Sequence, residues 1–198
     1  MSHKPVRVTV SPSAPLLLAL FVLLSSPLLL AALLSAALLH ELGHYALLRC
    51  CGGRVTAIHI TALGAEMQAA GRFSYGGELL AAAAGPMVNL AFAWLLAWLG
   101  GRWEVCYLFA GAQLMLGAFN LLPLSALDGG SILWNVVAWL TEPYTADRVT
   151  AVVGLGAAAM LTLAAAAALL LGGSPFFLLA AAALLYRTMR QKGVAKPR

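Results

Sequence analysis

Ser35-Ala36-Ala37-Leu38-Leu39-His40-Glu41-Leu42-Gly43-His44-Tyr45-Ala46-Leu47-Leu48 sets two imidazoles and a carboxylate inside an apolar run that begins at Leu28. A run of about 20 apolar residues suffices to cross the hydrocarbon core of a bilayer. An ionisable side chain at that depth costs roughly 2.5 to 3.5 kcal/mol on insertion scales, so it marks a functional site. On a helix, residues i and i+4 share one face, and His40 and His44 can each aim a ring nitrogen at a single metal ion. Glu41 lies off that row, where a carboxylate serves as base to a water activated at the metal. The competing role is a polar cluster that ties helices together by hydrogen bonds. The complete His-Glu-x-x-His pattern is too rare in an apolar stretch for coincidence, and metal binding is the better account.

Outward from this stretch, the 198 residues are 62% hydrophobic and 10% charged, far from the charged share of about 25% in soluble domains. The chain reads as an integral membrane protein in one bundle, with lipid as its solvent. Six apolar segments are expected to be transmembrane helices, over about 13–25, 28–49, 78–99, 104–122, 150–171 and 176–189. Pro27 suits the first turn of the second helix, and Gly172-Gly173-Ser174-Pro175 separates the last two. The first two apolar runs together are too long for a signal-peptide core and lead into the His motif, so no cleavage is expected there. Cys50, Cys51 and Cys106 are too few for a disulfide framework, and Cys50 and Cys51 are adjacent, pointing about 100° apart on a helix, which makes them poor metal ligands.

The net charge of +5 is a topology signal and not a nucleic-acid patch. With the N-terminus in the cytoplasm and six crossings, eleven of the twelve Lys and Arg fall inside and Arg102 alone outside. Both termini are therefore expected to be cytoplasmic, in a multi-pass protein of the bacterial plasma (inner) membrane.

Between the second and third spans, residues 54–62 are rich in Val, Ile and Thr, Gly64 breaks them, and 65–70 can return as a partner strand. The fold class is thus an all-α polytopic membrane protein with a short membrane-associated β-hairpin between helices 2 and 3. A hairpin edge left open in lipid must be covered, so something is expected to pair with it. Ile58 and Ile60 are the expected edge residues, where an unwound substrate could add as a strand. His59, in the same stretch, reads as an interfacial side chain.

A catalytic zinc usually has three protein ligands and an open position. Glu66, Glu78, Asp128 and His59 are the candidates for the third. Asp128 is preferred: it follows the fourth span, and Gly129-Gly130 beside it allow close backbone approach. Its competing role is the N-cap of a helix over 131–140. Asn120 is a candidate substrate-positioning or oxyanion donor, whereas a helix-packing bond explains Asn89 equally well.

His40-Glu41-Leu42-Gly43-His44, Ala84-Gly85-Pro86-Met87-Val88-Asn89, and Phe119-Asn120-Leu121-Leu122-Pro123 leading to Leu127-Asp128-Gly129-Gly130 resemble the three signature motifs of the site-2 protease family, peptidase family M50. The order and spacing are similar too, most of all to the branch of the stage IV sporulation protein FB, although Ala126 stands where that branch commonly has Pro. The resemblance implies one Zn2+ per chain held by His40, His44 and Asp128, with Glu41 as catalytic base. It implies an intramembrane endopeptidase whose partners are the lipid bilayer and a membrane-embedded protein substrate, cleaved in regulated intramembrane proteolysis. A single domain is expected, without the PDZ or CBS modules of some relatives. Two other classes compete: a relative that holds membrane clients without cutting them, and a metal permease. The need for Glu41, not itself a ligand, separates them.

Overall fold

The computed structural model describes residues 6–61, 64–71 and 74–191. Lys4, Arg72, Lys192, Lys196 and Arg198, which enter the charge argument, lie outside the described residues, as do Ala62 and Leu63. The chain divides into two compact units, Met1–Phe119 and Asn120–Arg198.

The first unit starts with β1 (Arg7–Val10) and α1 (Ser13–Leu24), then α2 (Pro27–Cys50). Ser26 caps α2 by accepting a hydrogen bond from Leu29 N–H at 3.3 Å, and Pro27 fills the first helical position, where a missing N–H costs nothing. Gly52, at φ 78°, takes the left-handed conformation that ends the helix. β2 (Arg54–Thr61) and β3 (Gly64–Ala70) form the expected antiparallel hairpin, with Ile60 opposite Ala65 and His59 opposite Glu66. α3 (Tyr75–Gly100) and α4 (Val105–Asn120) follow.

The partner required by the hairpin is β1. It pairs parallel to β2, Val8 opposite Ile58 and Val10 opposite Ile60, giving the sheet order β1-β2-β3. A parallel pair needs a long crossover, and α1 with α2 supplies it. Ile58 and Ile60 consequently sit on the central strand and not on an edge, which corrects the expectation for them. Short alternating Arg7-Val8-Thr9-Val10 is legible as a strand only once β2 is there to receive it. His59 bonds through Nδ1 to Thr9 Oγ1 across this pair, and among the described residues it joins no cluster of possible metal ligands.

Small residues set the helix packing, as expected where apolar side chains gain nothing by leaving lipid. Ala32 and Ala36 of α2 are fully buried with Ala112 of α4, framed by Leu33, Leu108, Phe109 and Leu116. Gly43 brings α2 so close to α3 that an added Cβ would lie 2.9 Å from Ala84 O and from Val88.

The second unit holds α5 (Asp128–Leu140), α6 (Pro143–Leu170) and α7 (Pro175–Gln191). α5 is not among the six expected spans, and its 13 residues reach about 20 Å, too short for a bilayer core. α6 starts at Pro143, well before residue 150, because Thr145, Asp147 and Arg148 form its first turns. Helical hydrogen bonding does not stop where apolar composition does. Trp134 Nε1–H of α5 donates to Asp147 Oδ1 at 2.6 Å, which gives that polar turn a partner. Leu124, Leu127, Ala158 and Leu184 make the core of this unit. Among the described residues three helices, α2, α3 and α6, are long and apolar enough to cross a membrane, while α1, α4 and α7 are shorter apolar helices.

Candidate metal centre

His40 and His44 lie one turn apart on α2, His40 only 5% exposed. Their Nε2 atoms stand 3.1 Å apart. The other nitrogen of each ring decides what those atoms are. His44 Nδ1 is 2.7 Å from the Ala81 carbonyl oxygen, which can only accept, so Nδ1 carries the proton. His40 Nδ1 is 2.6 Å from Asn89 Oδ1, and Asn89 Nδ2 donates to the Ala36 carbonyl at 3.0 Å, which fixes the amide orientation and makes His40 Nδ1 a donor as well. Two imidazoles each donating from Nδ1 present Nε2 lone pairs to one another, a repulsive pair unless a cation joins them. Two zinc–nitrogen bonds at a tetrahedral angle separate the nitrogens by about 3.3 Å, close to the distance found here.

α3 builds the other wall. A Cβ at Gly85 would fall 2.3 Å from His44 Nε2 and 2.8 Å from His40 Nε2, in the space before both ligand atoms. Only the absence of a side chain leaves that space. Pro86, one residue on, denies Ala82 its helical donor and crowds the preceding turn, the turn whose Ala81 carbonyl takes the His44 proton. Gly85 therefore supplies room and Asn89 an orienting amide, while Ala81, one turn earlier on α3, supplies the accepting carbonyl.

Glu41 is partly buried next to His40 on α2, and its Oε1 accepts the Ala65 N–H of β3 at 3.2 Å. The start of β3 thus lies beside the expected base. Ala65 N–H points away from β2, so the outer edge of β3 faces Glu41; among the described residues no strand pairs with that edge.

In the second unit Asp128 is the first residue of α5, and Leu127 is the N-cap, so the capping role weighed for Asp128 is not the one it has. A Cβ at Gly129 would lie 2.2 Å from Leu121 O, and one at Gly130 equally close to Leu124 O. The paired glycines let the first turn of α5 rest on the backbone of 121–124, which sets where Asp128 emerges. Glu78 is exposed in the first turn of α3, away from any buried centre. Asn120 ends α4, half-buried.

Residues 100–164 match the model of Peptidase family M50. That stretch contains Asp128 and the turn before it but not the His motif, so the match and the His pair are separate observations. Over 132 residues the chain is 26% identical to a zinc metalloprotease of Methanocaldococcus jannaschii, MJ0392, covering 63% of this chain. The chain spans 39% of that relative's length. The structure is similar to that of the site-2 protease from Methanocaldococcus jannaschii, with a TM-score of 0.71 at 21% identity, over 100% of this chain and 96% of the other. The fold is therefore similar to that of a site-2 protease, mostly helical with a small sheet.

Sequence reasoning underweighted Asn89 and passed over Gly85 and Gln113. A buried amide in each of two apolar helices was the available signal, since polar groups at bilayer depth are seldom idle.

Proposed function

We propose that this chain is a zinc-dependent intramembrane endopeptidase of the site-2 protease type, acting on a membrane-embedded protein. One observation carries the reading: two imidazoles on one helix face, each with its Nδ1 against an oxygen that can accept, and with their Nε2 atoms 3.1 Å apart. With Asp128 as the third ligand that the motifs imply beside His40 and His44, two nitrogens with one carboxylate suit a catalytic zinc with one position left open. The motifs resemble those of the branch of the stage IV sporulation protein FB.

Bound zinc would lower the pKa of its water to about 7 and polarise the scissile carbonyl. Glu41 takes the proton of the attacking water and passes it to the leaving amine. Asn89 and Ala81 hold the two imidazoles in the ligating tautomer. Asn120 is assigned the oxyanion side. A helical substrate hides its carbonyls in intrahelical bonds and must unwind before it is cut. The outer edge of β3, in place of Ile58 and Ile60, takes the freed backbone as an added strand beside Glu41.

Metal analysis and cleavage of a transmembrane substrate test this together. One zinc per chain is expected, lost in Asp128→Ala. Glu41→Gln should keep the zinc and lose cleavage by about 10² to 10⁴. Cleavage by Glu41→Gln within a factor of about ten of wild type would exclude Glu41 as the base, and a wild-type chain that binds the substrate without cutting it would favour a relative that only holds clients.

A further inference from the structure

Apart from its terminal Asn120, Gln113 is the only amide in α4, and it is 1% exposed. Its Oε1 lies 2.5 Å from Asn89 Nδ2. Asn89, itself fully buried, donates its other N–H to Ala36 O at 3.0 Å and accepts the His40 Nδ1–H at 2.6 Å. An asparagine amide has two N–H donors and one oxygen. Both donors are taken by acceptors on α2 and α4, so oxygen is the only atom it can turn to His40. A reversed amide would set Asn89 Oδ1 against Ala36 O and Gln113 Oε1, and would present N–H to His40. His40 Nδ1 would then have to accept, its proton would move to Nε2, and the ligand atom would be lost.

We propose that Gln113 is a positioning residue for the metal centre: by accepting the second Asn89 N–H it holds the amide that keeps the His40 proton on Nδ1 and the lone pair on Nε2. α4 contributes no ligand of its own, yet the relay Gln113–Asn89–His40 couples it to metal affinity. Outer-shell partners of histidine ligands act in this way, by fixing tautomer and ring orientation. The metal part of the inference rests on the function proposed above; the tautomer part does not.

Gln113→Met keeps the volume and removes the acceptor, while Gln113→Glu keeps an acceptor of the same reach. In the full-length protein, with zinc affinity read by competition against a chelator, Gln113→Met is expected to weaken binding about 10- to 100-fold. Gln113→Glu should stay within about threefold of wild type. Nitrogen NMR of zinc-free, histidine-labelled protein, with the His40 signals assigned by a His40→Gln variant, should show Nδ1–H alone in wild type and Gln113→Glu. An Nε2–H population should emerge in Gln113→Met. Equal loss of affinity in both Gln113 variants, or an unchanged His40 tautomer in Gln113→Met, would overturn the proposal. A wild-type chain that takes up no zinc would instead defeat the functional reading and leave the tautomer measurement to decide this one.

Discussion

Gly85 is where a single hydrogen atom in place of a methyl group decides whether the centre can exist. Ala is favoured over Gly inside a helix by roughly 0.5 to 1 kcal/mol, so Gly85→Ala should leave α3 intact by propensity. Its Cβ would still stand in the space before both Nε2 atoms. The expected outcome is loss of zinc at a melting temperature close to wild type, read by metal analysis and thermal unfolding; normal zinc content would show that the imidazoles are placed differently. At Asn89, Asn89→Leu leaves the Ala36 and Gln113 acceptors and the His40 donor unanswered in a buried site, each costing about 1 to 3 kcal/mol. That variant should lose both zinc and stability, a contrast with Gly85→Ala that separates a space-making residue from a bonding one. The His-Glu-x-x-His pattern was readable because it is local: i and i+4 meet on any helix. Gly85 and Asn89 were not, because their partners are separated from them by most of α2, the sheet and the start of α3.

At the scale of elements, the sheet is where expectation and structure diverge. β1 closes one edge of β2, and the outer edge of β3 is left toward Glu41. Backbone groups along a strand alternate in direction, so Met67 N–H points outward as Ala65 N–H does. Met67→Pro removes an outward donor and spares the β2–β3 ladder. It should slow cleavage of a transmembrane substrate while zinc content stays at one per chain. Ile58→Pro and Ile60→Pro, on the central strand, should unfold the sheet, seen as lower thermal stability. If Met67→Pro cleaves at the wild-type rate, substrate does not add at this edge. The hairpin itself was visible in its β-branched run and its glycine break, but the parallel strand β1 was not, since a strand of four residues has no signal of its own without its partner.

For the whole molecule, the partition of basic residues over the six expected spans predicts both termini in the cytoplasm. Reporter fusions at residue 3 and after Arg198 should both give cytoplasmic signals; an external signal at either end would reverse the assignment. His40 lies about 20 Å along α2 from Pro27, past the midplane of a core about 30 Å thick. With that orientation, substrates should be cut in the cytoplasmic half of their span, as mass spectrometry of the products would show. By itself the sequence determined the membrane class, the helix runs and the helix that carries the His pair, because hydropathy and the 3.6-residue period act through neighbours on one element. Only tertiary structure decided that α3 gives both imidazole Nδ1 atoms an oxygen partner, that Gly85 leaves the space before them, that α4 reaches the amide beside His40, and that β1 takes one edge of the hairpin. Those four depend on groups far apart in the chain coming within hydrogen-bonding or van der Waals distance, and no local period encodes such a meeting.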